Sequence, residues 1–164
     1  MFGRFGRVEA NPIFMQRAIA LATENVRSGT GGPFGAVIVR GDEVLSEAAN
    51  MVTAANDPTA HAEVTAIRQA CGKLGTFELT GAVIYTSCEP CPMCLAAIYW
   101  ARIQAVFYGN TAAHAASVGF DDAHLYQEVA RPLSERAIPT CPLLGEEAWE
   151  SFALWRDTVS KTPY

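Results

Sequence analysis

Two short stretches of this 164-residue chain carry side chains that could do chemistry together. One is Thr59-Ala60-His61-Ala62-Glu63; the other is Cys88-Glu89-Pro90-Cys91-Pro92-Met93-Cys94. Cys91 and Cys94 stand three apart, which puts both thiols on one face of a helix. Each stretch opens a segment of helical pattern. A helix N-terminus carries partial positive charge, which favours the ionised, ligating thiolate. Imidazole nitrogen and thiolate sulfur are the donors a tetrahedral zinc ion prefers. His61, Cys91 and Cys94 supply three of them, cancel the charge of the dication and leave one position open, where water would drop in pKa to about 7. Glu63 follows His61 by two residues. Near a helix end both side chains can point past the end toward one metal, and a carboxylate there can take a proton from water and return it to a substrate.

Other readings compete for the same residues. A lone Cys-x-x-Cys fits a redox pair or chance. A structural zinc site is the main alternative, with Cys88 as fourth ligand, and it makes the chain a zinc-stabilised binding module rather than an enzyme. Cys88 also reads as a buried thiol at a strand end. Cys71 and Cys141 read as core or surface cysteines. His114 and His124 lack ligand spacing and read as surface or packing residues. The chain has five cysteines, an odd number, and three crowd between Cys88 and Cys94, which argues against a disulfide framework.

The elements that must position these residues follow from the pattern. Asn11-Pro12 offers an N-cap and a proline at the first helical position, and Phe14, Ala18, Leu21 and Ala22 recur at helical spacing up to Ser28-Gly29. Phe34–Arg40 reads as a strand, Gly41-Asp42 as a turn, and Val44–Ala49 as its return. Residues 51–58 read as a loop and 59–74 as a helix closed by Gly75. Ala82–Ser87 reads as a buried strand, Pro92–Arg102 as a helix and Gln104–Tyr108 as a strand. Short helices are expected within 111–130 and a last helix over 146–158. Four strands are thus legible, the first two as an antiparallel hairpin and the later ones in strand–helix alternation, which implies parallel crossovers and a mixed sheet.

Half of the residues are hydrophobic, 18% are charged, and the net charge is −5. That is an ordinary globular balance with room for one domain. The acidic balance argues mildly against a partner with a phosphate backbone. No apolar run reaches signal-peptide or membrane-helix length, so the expected location is the cytoplasm.

From Gly31 onward the chain resembles the cytidine deaminase-like superfamily, whose zinc enzymes pair His-x-Glu with Pro-Cys-x-x-Cys. More narrowly it resembles the small bacterial guanine deaminases. Gly31-Gly32-Pro33-Phe34-Gly35-Ala36-Val37-Ile38-Val39 matches the opening strand of that group. Asp57-Pro58-Thr59-Ala60-His61-Ala62-Glu63 is shared across nucleobase deaminases. Tyr99-Trp100-Ala101-Arg102, Gly119-Phe120-Asp121-Asp122 and the terminal Tyr164 are more discriminating. The resemblance covers almost the whole chain. Residues 1–10 stand out as an expected disordered extension, and 11–164 as one deaminase domain.

The resemblance implies an α/β fold of three layers, with a five-stranded mixed sheet flanked by helices. It implies a homodimer in which the C-terminal segment is exchanged and closes the partner's site. It implies a Zn2+ cofactor and hydrolysis of guanine to xanthine and ammonia. Glu63 then moves protons, Asp122 assists the departing amino group and binds the base edge, and Asn50 hydrogen-bonds the base. Phe34 and Trp100 are stacking candidates, the backbones of Ala62 and Cys91 are amide donors, and Tyr164 lids the pocket. Guanosine deamination is the nearest rival, since a similar pattern occurs there. A tRNA adenosine deaminase is another, but Glu146, Glu147 and Glu150 make the last helix unfavourable to a polyanion.

Overall fold

The computed structural model describes residues 8–164. Of the N-terminal extension expected at 1–10, residues 1–7 lie outside the described residues, and Val8 packs against the core. The chain divides into two compact units, Met1–Tyr126 and Gln127–Tyr164.

In the first unit, helix α1 (Pro12–Arg27) starts as its sequence directs, with Asn11 Oδ1 accepting the Ile13 amide at 3.0 Å and Pro12 in the first turn. Strands β1 (Gly35–Arg40) and β2 (Glu43–Ala49) form the hairpin. A single helical turn, α2 (Val52–Ala55), interrupts the expected loop. Next come α3 (Ala62–Leu74), β3 (Val83–Cys88), α4 (Pro92–Trp100), β4 (Ala105–Asn110), α5 (Ala112–Ser117) and α6 (Asp122–Ala130), the last of which passes into the second unit at Gln127.

The sheet order is β2-β1-β3-β4, with β1 antiparallel to both neighbours and β3 parallel to β4, so the sheet is mixed. Side chains of β1 alternate between two cores. Ala36 and Ile38 join Ala62, Ala66 and Ile98 on the face covered by α3 and α4. Val37 and Val39 join Phe14, Ala18, Val83 and Tyr85 under α1. Burial on both faces explains why β1 reads as a continuous apolar run rather than an alternating one. Gly35 lets α1 approach: a Cβ there would collide with the Ala18 carbonyl oxygen.

The sheet has four strands among the described residues, against the five that the resemblance implied. Beyond β4 the chain is mostly helical, in α5, α6 and α7 (Gly145–Asp157), and the stretch between α6 and α7 holds Pro132, Pro139 and Pro142. Proline has no amide to give to a ladder.

Helix α3 starts at Ala62, not Thr59. The Thr59 amide and hydroxyl both bond Asp57 Oδ1, at 2.8 and 2.7 Å, which holds a turn where the helix was expected to begin. No described helix is long and apolar enough to cross a membrane.

The second unit holds a short 3-10 helix at Leu133–Glu135 and α7. Glu128 Oε2 accepts the Ala137 amide at 2.8 Å, and the Arg136 guanidinium donates to the Val129 and Arg131 carbonyls, each at 3.2 Å. No residue of this unit is buried.

Candidate metal centre and pocket

His61 and Cys91 occupy equivalent places. Each is the N-cap of a helix, α3 or α4, each has extended backbone, and neither side chain caps its own helix. Both side chains are therefore free to turn outward past the helix end, and Pro92 fixes the first turn behind Cys91. His61 Nδ1 lies 3.7 Å from Cys91 Sγ and 3.5 Å from Cys94 Sγ. The three ligand atoms fall within 4.8 Å of one another, with both cysteines buried.

These separations suit zinc. Zn–S bonds of about 2.3 Å and Zn–N bonds of about 2.0–2.1 Å set the nitrogen–sulfur edges of a tetrahedron near 3.6 Å. The observed contacts match those edges. Cys94 and His61 hold the Cys91 thiol down at about 4 against the opposing pull of burial. The same contact with Cys91, and then burial, push Cys94 up. Two thiols held this close to an imidazole suit a bound dication, which would replace their protons.

Cys88 is not a member of the group. Its buried thiol faces the Thr111 carbonyl at 3.7 Å, and burial first, then Asp122, raises it to about 11. Three ligands with the fourth cysteine turned elsewhere match an open site rather than a closed structural one. His114 is an exposed residue that closes a capping box on α5 with Thr111.

Glu63 is 5% exposed. Its Oε1 lies 3.3 Å from the Thr86 hydroxyl and its Oε2 lies 3.5 Å from Cys94 Sγ. Burial raises its carboxyl above the ordinary range, which brings it closer to the range useful for moving a proton at neutral pH.

The group opens onto a cavity of about 530 Å³ in the first unit. His61, Glu63, Cys91, Phe34, Asn50 and Asp122, all expected in the site, line it together. Asn50 is buried; its Oδ1 accepts the Val52 amide at 3.2 Å, which leaves the Nδ2 donors for another acceptor. Buried Asn25 holds this wall, because its Nδ2 donates to both the Gly32 and Asn50 carbonyls at 2.9 Å. Gly31 is required there, since a Cβ would strike the Asn50 carbonyl oxygen. Asp122 opens α6 and is 9% exposed; burial, then the Cys91 sulfur, raises its carboxyl.

Trp100 and Ala62 do not line this cavity, and Tyr164 belongs to the second unit. Trp100 ends α4, is 60% exposed and does not line this cavity; the Arg102 guanidinium lies 5.9 Å from its ring centre. Tyr164 lies in the second unit, its ring 6.4 Å from that of Trp155. Ala62 is fully buried behind His61 and also does not line the cavity.

Phe120 and Glu89 line the cavity without having been singled out. Phe120 packs edge-on against Phe34 with ring centres 4.7 Å apart. Its signal was present in the Gly119–Asp122 stretch. The signal for Glu89 was its position between a strand end and Cys91.

The chain is similar to known proteins. A protein described as guanine deaminase from Bacillus subtilis is 52% identical over 151 residues, 92% of this chain and 97% of its own length. A crystal structure of guanine deaminase from Bacillus subtilis superposes with a TM-score of 0.90 at 51% identity, over 95% of this chain and 99% of that one. A tRNA-specific adenosine deaminase from Agrobacterium fabrum is 48% identical, over 47% of this chain and 51% of its own length. Residues 9–110, which hold all three ligands and Glu63, match the family described as the cytidine and deoxycytidylate deaminase zinc-binding region. The chain belongs to that family of zinc-binding deaminases.

Proposed function

We propose that the chain hydrolyses guanine to xanthine and ammonia. The observation that carries this reading is the placement of Glu63, buried against Cys94 beside the His61–Cys91–Cys94 group, on a cavity also lined by Asn50 and Asp122. Likeness over 97% of the length of a guanine deaminase supports the choice of base. His61, Cys91 and Cys94 would hold the zinc ion, which when bound would supply the Lewis acidity that makes water a competent nucleophile at neutral pH.

Glu63 takes the proton of the attacking water and delivers it to the ring nitrogen beside C2. Asp122 carries the second proton of that water to the amino group as its bond to C2 breaks and ammonia leaves, and it holds the edge of the base. Asn50 turns its Nδ2 donors to an acceptor on the base, since its Oδ1 is already used. Phe34 offers its ring to the purine face, and the amides of Ala62 and Cys91 stand at the helix starts as further donors.

Trp100 does not line the pocket of its own chain, so it reaches a base only if a second copy presents it. A cytoplasmic homodimer, in which the exchanged C-terminal segment brings Tyr164 over the partner's pocket, belongs to the same proposal. The test is ammonia release from guanine, guanosine, cytosine, cytidine, adenine and a tRNA stem-loop. Turnover of guanine above the rest is expected. Turnover of guanosine or the stem-loop without guanine would replace the substrate and leave the zinc chemistry standing.

A further inference from the structure

The loop from Cys88 to Cys91 is bonded by a residue that the reaction above does not use. Tyr126 lies one helical turn after Asp122 on α6, so both side chains leave the same face of that helix. The Tyr126 hydroxyl donates to the Pro90 carbonyl at 2.6 Å, and Pro90 directly precedes Cys91. Burial, then the negative charge of Glu89 and Cys91, raises the Tyr126 phenol above its ordinary value, so it stays protonated and remains a donor.

The same loop is tied elsewhere to the start of α5. Glu89 Oε2 accepts the Ala112 amide at 2.9 Å, and the Cys88 thiol faces the Thr111 carbonyl. Neither bond reaches α6. The Asp122 carboxylate itself makes no hydrogen bond among the described residues, so its place on the cavity is set by the helix that carries it. The bond from Tyr126 is what joins that helix to the chain segment holding Cys91.

We propose that Tyr126 is a positioning residue: its hydrogen bond to Pro90 sets how Asp122 stands relative to Cys91, and with it the rate of the proton delivery assigned to Asp122. The inference rests on that reading of Asp122. Groups behind the residues that touch a metal or a substrate commonly change activity about 10- to 100-fold when removed. Asn50 and Phe34, which Tyr126 does not touch, hold the base alongside Asp122, so the larger effect belongs in kcat and the smaller in KM.

The test uses the zinc-loaded full chain, on whichever base of the panel it turns over, with rates expressed per bound zinc so that a less stable variant still reports. Tyr126→Phe keeps the ring and removes the bond. The expected result is a fall in kcat of about tenfold, with KM within about twofold and zinc content unchanged. In a Tyr126→Phe/Asp122→Asn double variant the two losses should not multiply, because both act through one carboxylate. A Tyr126→Phe enzyme at the wild-type rate, a loss that tracks zinc content alone, or losses that multiply would each overturn the proposal. A slow Asp122→Asn enzyme beside a fast Tyr126→Phe enzyme overturns it alone. An Asp122→Asn enzyme as fast as wild type overturns the role of Asp122 and this proposal with it.

Discussion

His61 and Cys91 begin helices whose first turns hold the buried residues Ala62 and Cys94, whereas α7 leaves Trp149, Phe152 and Leu154 at 60%, 65% and 72% exposure. In the first region the side chains around the cavity find their partners within a few ångströms in the same unit. Thr86 meets Glu63, Asn25 holds the Asn50 carbonyl, and Tyr126 holds Pro90. In the second region the apolar side chains have hardly any cover. A cluster of exposed aromatic residues on one helix commonly marks a surface that binds something. The residues of the metal centre thus come together within one chain, while the C-terminal unit leaves its aromatic residues exposed.

The largest expected effects test the self-sufficiency of the metal centre. Removing zinc with a chelator should take ammonia release to background, lower Tm, and be reversed by added zinc, since metal bound to the folded state stabilises it. His61→Ala should behave like the chelated protein. Glu63→Gln should keep zinc and Tm near wild type and lose about 10²- to 10⁴-fold in kcat, the usual range for a general acid–base group. Metal analysis and steady-state rates on one preparation check both. Loss of zinc in the Glu63→Gln protein would show the carboxylate acting as a ligand, contrary to the three-donor group.

A smaller effect tests the second region. Deleting Pro163 and Tyr164 should slow turnover on the order of tenfold, through a poorly closed and poorly ordered pocket, while Tm stays nearly constant. An unchanged rate would remove Tyr164 from the site and leave the tail as a frayed end.

The two regions also differed in how far they could be read from the sequence. His61, Glu63, Cys91 and Cys94 were legible because ligand chemistry restricts residue type and spacing at once. The four strands were legible from apolar runs and turn residues; the fifth came from resemblance alone, and the prolines after β4 already spoke against it. The start of α3 was misplaced by three residues because Asp57 caps a turn at Thr59 as readily as it could cap a helix. Phe34 and Trp100 looked alike as stacking candidates. Only the fold separates them, since one precedes the central strand and the other ends a helix away from the cavity. Tyr126 was invisible, because its partner is a backbone carbonyl 36 residues away and carries no sequence signal.

The sharpest form of the comparison uses one kind of bond in both places. Asn25 donates its side-chain amide to two backbone carbonyls in the buried wall of the pocket, and Thr158 donates its hydroxyl to the Leu154 carbonyl at 2.8 Å on the exposed end of α7. Deleting a donor where water cannot replace it costs the desolvation of the orphaned acceptor, about 1–3 kcal/mol, whereas water repairs the loss at an exposed site. At Asn25 the gap is narrow, since Gly31 is pressed against the Asn50 carbonyl. Asn25→Ala should therefore lower Tm by about 2–4 °C for each kcal/mol lost and loosen Asn50, raising KM more than it lowers kcat. Thr158→Ala should stay within about 0.5 kcal/mol of wild type. Thermal unfolding and Michaelis curves of the two variants check the pair. A Thr158→Ala protein as destabilised as Asn25→Ala would mean that the end of α7 is buried in the assembled protein, which would locate the cover that its aromatic residues lack in the single chain.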